Sequence, residues 1–306
     1  MFRSIACLGL VLAAAFPSAA HACDGRVVEG PGLFGEPVCV PADPQRIVVL
    51  DPTYSLGMAL ELGLPVVGAP LFGMSDGALK AKALAAGVVD LGSFTEPSLE
   101  TVISLQPDLI LGSAMVGTMG HEIMSQIAPT VLITLEDWKA YYRKIAAVTE
   151  TMAEADALFA TYEARVAEIA ARLPDVSVSV VRITPWDFQV YLDAPDAYGP
   201  FLVMHEVGVR RPAYETSGAE TVKRPDWEEL GELAGDVLLY IVGGANGSAT
   251  NGRHEEVLSN PLWQMIPAVA AGNVHRVDAA TWMEFSGIAS AHRVLDDIER
   301  ILIAPQ

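Results

Sequence analysis

The segment from Trp138 to Leu173 contains neither proline nor glycine and is rich in alanine, glutamate, arginine and leucine. Its apolar residues recur at helical spacing, Asp137 precedes it in the position of an N-cap, and Pro174 follows it as a stop. A continuous helix of this length would be about 54 Å long, far beyond an ordinary globular helix. The sequence therefore predicts a rigid connecting helix over 138–173 that separates two lobes.

Short apolar runs alternate with helix-like segments on both sides of this segment. RIVVLD at 46–51 and VSVSVVRIT at 176–184 are typical of strands buried on both faces. Strands of this kind, alternating with helices, indicate mostly parallel sheets. The predicted fold is α/β, with two Rossmann-like lobes at 23–137 and 174–306 joined by the single long helix at 138–173.

The two halves of the chain share a repeat. PSLETVISLQPDLILG, which begins at Pro97, matches PDWEELGELAGDVLLY, which begins 128 residues later (225 − 97) at Pro225. Each segment is predicted to be a short helix followed by a strand. Four of the identities at this offset are Pro97/Pro225, Glu100/Glu228, Leu105/Leu233 and Asp108/Asp236. Helix–Asp–strand junctions are common, so chance is the alternative, but four matches around the long segment favour duplicated lobes.

Glu100 and Glu228 are predicted to lie in the first turns of the two repeat helices. A carboxylate there is stabilised by the helix N-terminus by roughly 0.3–1 kcal/mol, which is a sufficient structural reason for it. The functional alternative is that each lobe presents one exposed carboxylate on the same outer face. Such a pair would dock onto arginines of a symmetric two-subunit partner.

At these residues the chain resembles the periplasmic binding proteins for ferric siderophores, haem and cobalamin. The resemblance extends from PQRIVVLDPTYSLGMALELGLPVVG, which begins at Pro44, to the closing WMEFSGIASAHRVLDDIERIL, which begins at Trp282. It implies two α/β lobes joined by one rigid helix, a ligand in a shallow cleft between them, and delivery to a dimeric ABC permease of the inner membrane. One glutamate per lobe would pair with permease arginines, and these carry over to Glu100 and Glu228, with Glu96 and Glu229 close by.

The function that the resemblance implies is delivery of a ferric siderophore or a similar bulky chelate. A haem- or cobalamin-binding protein of the same class is the nearest alternative, and an uncharacterised two-domain α/β enzyme or a structural protein is the alternative from another class. No Gly-x-Ser-x-Gly elbow, phosphate loop or Cys/His pair supports an enzyme. The six histidines include no close pair, so we expect no protein metal site and no cofactor beyond iron carried inside the ligand. A lone histidine or tyrosine that ligates haem stays open.

The first 22 residues are typical of a signal peptide. Arg3 precedes an apolar run that is too short to span a bilayer, and Ala20-His21-Ala22 has the small-x-small pattern of a cleavage site. We therefore expect a periplasmic protein. We also expect a monomer. Cys23 and Cys39 are the cysteines that remain, and a disulfide between them would staple a hairpin at 23–45. Lipidation of Cys23 is the alternative.

Acidic residues outnumber basic residues, 38 to 19. The formal charge is −19, or −20 without Arg3 (18 − 38), which argues strongly against nucleic acid or an anionic membrane as the partner. This charge weakly favours a neutral or cationic ferric hydroxamate over a triply anionic catecholate. Arg182, Arg253 and His254 could create a local positive pocket against that mean field.

Ligands of open parallel sheets bind beyond the carboxyl ends of the strands, and several aromatic residues follow predicted strands there. The predicted ligand contacts are Tyr54, Trp138, Arg182, Trp186, Tyr191, Trp282 and Phe285. For each aromatic residue a place in the core is the alternative, and for Arg182 it is a buried pair with a carboxylate. Trp227 and Trp263 lie in helix-like segments and are assigned to packing.

Overall fold

The computed structural model describes residues 23–135, 137–244 and 246–303. The predicted signal peptide at 1–22 lies outside the described residues. No helix in these ranges is both long and apolar enough to cross a membrane.

The N-terminal lobe is built on one sheet with the strand order β2-β8-β7-β4-β5-β6, preceded by a small β1–β3 hairpin. Its elements are β1 (Arg26–Val28), β2 (Leu33–Phe34), β3 (Val38–Val40), β4 (Ile47–Val49), α1 (Ser55–Glu61), β5 (Val66–Ala69), α2 (Gly77–Ala85), β6 (Val89–Asp90), α3 (Leu99–Ser104), β7 (Leu109–Ser113), α4 (Gly117–Met124) and β8 (Thr130–Ile133). The pairs from β8 to β6 are parallel, and β2 is antiparallel to β8. The central strands β4 and β7 are buried on both faces, as their apolar runs predict.

The predicted hairpin at 23–45 is present. Strands β1 and β3 pair antiparallel, with Val27 opposite Cys39. A disulfide joins Cys23 to Cys39, with their Cα atoms 5.7 Å apart. The predicted disulfide is therefore confirmed.

The connecting segment is two helices rather than the predicted continuous one. Helix α5 (Trp138–Val148) and helix α6 (Met152–Ala170) are separated at Glu150, which has a left-handed backbone with a φ of 57°. The N–H of Thr151 reaches back to the carbonyl of Ala146 at 2.9 Å, which closes α5 in the manner of a Schellman motif.

The two connecting helices fold back on each other. Trp138 at the start of α5 packs against Phe159 and Tyr162 of α6, with ring centroids 5.6 and 5.5 Å apart, and Arg143 pairs with Asp156 at 2.6 Å. Trp138 at the start of α5 thus meets the middle of α6, while Arg143 farther along α5 meets Asp156 nearer the start of α6, which is the arrangement of a helical hairpin. The predicted 54 Å strut is wrong, because α6 alone is about 28 Å long at 1.5 Å per residue.

The C-terminal lobe has the strand order β11-β10-β9-β12-β13. Its elements are β9 (Val178–Ile183), β10 (Phe188–Tyr191), α7 (Gly199–Val207), β11 (Val222–Lys223), β12 (Val237–Val242), α8 (Arg253–Ser259), α9 (Pro261–Gln264), α10 (Pro267–Ala270), β13 (Val274–Val277), α11 (Ala279–Met283) and α12 (Ile288–Ile298). Strands β9, β12 and β13 are parallel to one another. Strand β10 is antiparallel to β9, and β11 is antiparallel to β10. The helix predicted in the second repeat is only one 3₁₀ turn, Glu229–Glu232.

One apolar core runs through both lobes. It contains Leu56 and Met58 of α1, Tyr142 of α5, Val180 of β9 and Ile298 of α12, all of them buried. Burial of apolar surface stabilises by about 25 cal/mol per Å², so a shared core resists separation of the lobes. The lobes therefore pack against each other through a shared core rather than as two independent domains joined by a linker.

Polar contacts reinforce this packing where α12 meets α1. The carboxylate of Glu61 accepts hydrogen bonds from the N–H groups of Ile288 and Ala289 at 3.0 and 2.7 Å, and the hydroxyl of Ser286 accepts from Gly57 at 2.9 Å. A Cβ atom at Gly57 would lie 2.1 Å from the Ser286 carbonyl oxygen, so glycine is required for this approach. Burial raises the pKa of Glu61, although the two backbone donors act against the rise.

Candidate functional site

A cavity of about 700 Å³ lies between the lobes. Tyr54 follows β4 of the first sheet, and Trp138 and Tyr141 come from α5. Tyr198 and Phe285 form the wall from the C-terminal lobe. The position beyond the ends of β4 and β8 is where ligands bind in open parallel sheets.

Two smaller cavities continue along the same seam. One of about 180 Å³ is lined by residues that include Thr53, Phe72 and Glu284. The other, of about 470 Å³, is lined by Ser75 and Arg276 among others. Thr53 adjoins Tyr54 and Glu284 adjoins Phe285 in the chain, so the smallest of the three cavities is lined by sequence neighbours of residues that line the main one.

Aromatic packing holds the cleft walls in place. Phe285 meets Trp138 edge to face at 5.3 Å, and Tyr191 stacks on Phe201 with centroids 4.4 Å apart and an interplanar angle of 5°. The hydroxyl of Tyr198 accepts a hydrogen bond from the N–H of Phe285 at 3.0 Å. These contacts fix ring positions before any ligand arrives, which lowers the entropic cost of binding.

The buried carboxylate of Asp51 organises the loop that carries Tyr54. It accepts hydrogen bonds from the N–H groups of Tyr54, Ser55 and Ser113 at 2.8, 2.9 and 2.8 Å. The Tyr141 hydroxyl lies 2.7 Å from the Ser55 hydroxyl. Burial, and then the Asp51 charge, raise the pKa of Tyr54, so its hydroxyl stays protonated and able to donate to a ligand.

A buried ion pair supports the opposite wall. Arg211 pairs with Glu215, and both side chains are almost fully buried. Arg211 also donates to the carbonyl of Tyr191 at 2.9 Å, and Glu215 accepts from the N–H of Val180 at 3.0 Å. The pair thereby ties the end of β10, where Tyr191 faces the cleft side of the sheet, to the neighbouring β9.

The structure brings three of the seven predicted contacts together at the main cavity. Tyr54, Trp138 and Phe285 line the main cavity. Tyr191 stands behind Tyr198, with ring centroids 6.4 Å apart. Trp186 is 76% exposed in the turn between β9 and β10, at the carboxyl end of β9.

Trp282 does not face the cleft, contrary to its prediction. It is 0% exposed, its indole N–H donates to Asp297 at 2.8 Å, and its ring packs 5.9 Å from Phe201. The residue follows a strand as expected, but it lies on α11 with its side chain turned into the core. Trp227 and Trp263 pack as predicted, Trp227 against Phe188 at 4.8 Å and Trp263 in the core.

Sequence reasoning did not single out Tyr141, Tyr198 or Asp137 as cleft residues. Tyr198 lies directly before Gly199 at the start of α7, in the loop that follows β10. Its place in that loop could have identified it as a cleft residue from the sequence. Tyr141 lies one turn after Trp138 on α5, and that spacing places both on one helix face.

Arg182 is the predicted contact with the least satisfied side chain. Its Nη1 lies 3.4 Å from Oε1 of Gln189 and 3.5 Å from the Tyr191 hydroxyl, and its Nε is buried with no acceptor among the described residues. No described carboxylate lies within ion-pair distance of it, so the alternative of a buried Arg–carboxylate pair is not what the structure shows. Arg253, by contrast, pairs with Glu256 at 3.0 Å.

The two glutamates of the repeat are exposed on the surfaces of their lobes. Glu100 lies in the first turn of α3, and Glu228 precedes the 3₁₀ turn of the second lobe. The neighbouring Glu229 is engaged in a reciprocal cap with Asp226, with N–H to carboxylate distances of 3.0 and 2.9 Å. Glu228 is therefore the freer of the two carboxylates.

Within the described ranges, no cluster of three or more histidine, cysteine, aspartate or glutamate side chains is arranged to hold a metal ion. The main cavity is lined instead mostly by aromatic and small side chains, with two carboxylate residues, Asp137 and Asp196, among them. Such a surface suits a bulky ligand of mixed polarity.

Known proteins share this sequence pattern and fold. The probable siderophore-binding lipoprotein YfiY of Bacillus subtilis is 29% identical over 279 residues, which cover 85% of this chain and 83% of the relative. The Fe(3+) dicitrate-binding periplasmic protein FecB of Escherichia coli is 26% identical over 293 residues, or 92% of this chain and 91% of FecB. Staphylococcus aureus SirA complexed with staphyloferrin B has the same fold, with a TM-score of 0.74 at 19% identity over 90% of this chain and 97% of SirA. Residues 47–281 match the family model described as "Periplasmic binding protein". The chain belongs to the periplasmic binding protein family.

Proposed function

We propose that the chain binds a ferric siderophore, or a similar bulky ferric chelate, and delivers it to an ABC importer. The observation that carries this proposal is the cavity of about 700 Å³ with aromatic and hydroxyl walls from both lobes. A siderophore saturates iron with its own oxygen atoms, so the protein supplies apolar faces and a few hydrogen bonds rather than metal ligands. Relatives named for siderophore and Fe(3+) dicitrate binding support this choice.

In this proposal the ligand lies against the rings of Tyr54, Trp138 and Phe285, which line the cavity. Tyr191, whose ring lies 6.4 Å from that of Tyr198, and its neighbour Arg182 are the further proposed contacts on the C-terminal side. Trp186, exposed after the end of β9, is also a proposed ligand contact. The role is binding, and we assign no catalytic step to it.

Delivery requires contact with both halves of a permease dimer, and Glu100 and Glu228 are the proposed contacts. Each is exposed and belongs to the same segment of the 128-residue repeat. Carboxylates pair strongly with arginine, whose guanidinium matches them through two parallel hydrogen bonds. A monomeric binding protein would thus present one carboxylate to each permease subunit.

The proposed location is the periplasm, reached through the signal peptide at 1–22. The disulfide between Cys23 and Cys39 favours a protein without a lipid anchor at Cys23, because one sulfur cannot carry both bonds. Intact mass of the exported chain distinguishes the two forms.

Titration of the purified chain tests the binding proposal. The panel consists of a ferric trihydroxamate, a ferric tris-catecholate, a ferric α-hydroxycarboxylate, haem and cobalamin, read by tryptophan fluorescence. We expect at least one ferric chelate to quench with micromolar or tighter affinity, and Trp138→Phe to reduce the quenching. Tight binding of haem or cobalamin alone would move the protein to that class, and no binding by any of the five would overturn the proposal.

A further inference from the structure

The main cavity between the lobes carries two carboxylates and no basic side chain among the described residues that line it. Asp137 lies directly before α5 in the connecting segment, and Asp196 lies after β10 in the C-terminal lobe. We propose that the ligand is a ferric chelate that carries a protonated amine, and that Asp137 and Asp196 bind this group. The inference rests on the proposed function and names the chemical class of its ligand.

Both carboxylates have acceptor oxygen atoms to spare. Oδ1 of Asp137 caps α5 by accepting from two backbone N–H groups at 2.9 and 3.0 Å, which leaves Oδ2 without a donor among the described residues. Asp196 is exposed and has no described hydrogen-bond or ion-pair partner, unlike Asp193, which lies 2.7 Å from Nδ1 of His205. A bulky ligand displaces water from both anions, and this costs free energy unless the ligand supplies a cation.

The nearby cations do not neutralise this pair. Lys139, two residues after Asp137, is held by Glu206 at 2.8 Å. Arg276 lines the neighbouring cavity of about 470 Å³, which also contains Asp278. Neither cation is among the residues that line the main cavity. The two carboxylates therefore face the ligand without a basic partner from the described part of the cavity wall.

The aromatic residues of the cavity suit the same group. Tyr54, Tyr198 and Phe285 line it together with the two carboxylates. Aromatic rings attract ammonium groups through their quadrupole, and the attraction increases when water is excluded. Burial raises the pKa of Tyr54, so its phenol stays neutral and its hydroxyl oxygen can accept from an amine.

Trp138 adds an independent requirement on the ligand. Its side chain lines the cavity and is only 5% exposed, and its indole Nε1 is buried without an acceptor among the described residues. An indole N–H can only donate, so an oxygen atom of the ligand would satisfy it. The cavity thus fits a ligand that combines acceptor oxygen atoms with a cationic amine. A triply anionic chelate would instead bring like charge to the two carboxylates.

The test measures binding to the mature chain by calorimetry with two matched probes. One is a linear ferric trihydroxamate that ends in a primary amine, and the other is the same chelate with that amine acetylated. They share the iron centre and differ by one positive charge. A ferric tris-catecholate and a ferric α-hydroxycarboxylate complete the set. Wild type should bind the amine form at least about tenfold more tightly than the acetylated form, and high salt should reduce the difference.

The variants are Asp196→Asn and Asp137→Asn, alone and combined. Asparagine also caps helices, so α5 keeps its N-cap, and Asp196 has no described contact whose loss would unfold the chain. The double variant should bind the amine form about tenfold more weakly and the acetylated form within about twofold of wild type. Asp43→Asn is the matched control, because Asp43 is an exposed aspartate before the start of β4, whereas Tyr54 follows its end. This control should change neither affinity.

Three results would overturn the inference while the proposed function stands. They are equal affinity of wild type for the two trihydroxamates, tighter binding of either anionic chelate than of the amine form, and an equal loss for both trihydroxamates in the double variant. Absence of binding by every ferric chelate would instead overturn the proposed function and the inference with it.

Discussion

The carboxylate of Asp76 lies 2.6 Å from Nη2 of Arg293, and this ion pair joins the start of α2 in the N-terminal lobe to α12. Asp76 also caps α2 by accepting from the N–H of Leu79 at 3.0 Å. Beside it, the carboxylate of Glu284 accepts from the N–H groups of Ser75 and Asp76 at 2.9 and 2.7 Å. The loop before α2, which lines the cleft, is thus held by the C-terminal segment of the chain.

Removal of Arg293 should leave a nearly buried, unpaired carboxylate at Asp76. Arg293→Met is expected to lower the free energy of unfolding by about 2 kcal/mol, less than for a fully buried pair because 31% of the Arg293 side chain is exposed. Asp76→Asn keeps an N-cap acceptor, so the double variant should lose less than the sum of the single losses. Urea unfolding of the four proteins measures this coupling, and additive losses would show that the pair contributes nothing.

The lobes should move little when ligand binds. The reason is not a straight strut, since α5 and α6 form a hairpin, but the shared core and the contacts of α12 with α1. Closure would have to break the cap that Glu61 makes on Ile288 and Ala289. Small-angle scattering with and without ligand should give radii of gyration equal to within about 1 Å. A larger contraction would mean that the hydrogen bonds of Glu61 with Ile288 and Ala289 open on binding, and Glu61→Ala should then increase the contraction.

The repeat could be predicted from the sequence because the same residue types recur at the same spacing, and the structure gives the two aspartates the same role. Asp108 accepts from the N–H of Arg46 at 2.9 Å just before β4, and Asp236 accepts from the N–H of Ser177 at 2.7 Å just before β9. Each aspartate therefore anchors the start of the neighbouring parallel strand in its own lobe. Ser98 and Asp226 also share the 128-residue offset, and each side chain accepts from the N–H group three residues later.

Other features depend on contacts that the sequence does not display. The left-handed conformation that follows α5 is usually adopted by glycine, but here the residue is Glu150. The sequence therefore contained no glycine to mark the break between the two helices. Trp282 follows a strand just as Trp138 does, and only the packing of α11 on Phe201 turns it inward. The missing partner of Arg182 could not be known either, because its neighbours come from tertiary structure.

The disulfide should stabilise the N-terminal hairpin and the lobe on which it packs. The bond joins residues 16 apart in the chain, and a loop of this size is worth roughly 3 kcal/mol in the chain-entropy model. A Cys23→Ser/Cys39→Ser variant should therefore unfold at lower urea concentration than wild type. Wild type measured with reductant is the control and should match the variant. Equal stability of the oxidised protein and the variant would contradict the prediction.

Stability should fall as the pH is lowered through about 6.5, and His292 should contribute to this fall. Burial, and then the Arg165 guanidinium, lower the pKa of His292, while Asp296 acts in the opposite direction. The unfolded chain then binds a proton at higher pH than the folded chain does, so protonation favours unfolding. In His292→Gln the loss of melting temperature between about pH 7.5 and pH 5.5 should be smaller than in wild type. An equal or larger loss would show that His292 does not contribute.

Removal of the proposed docking carboxylates at Glu100 and Glu228 should lower cellular uptake without changing the affinity for the chelate. Both carboxylates are exposed and outside the cleft, so Glu100→Ala/Glu228→Ala should leave chelate affinity within about twofold of wild type. Loss of two charge-assisted contacts with permease arginines should lower cellular uptake of labelled iron roughly tenfold or more. Glu96→Ala/Glu229→Ala is the matched control, with the same charge removed from adjacent positions, and it should keep uptake if it remains folded. Loss of uptake only in the control pair would transfer the docking role to Glu96 and Glu229, and loss of chelate binding in the first variant would place these residues in the site or the core.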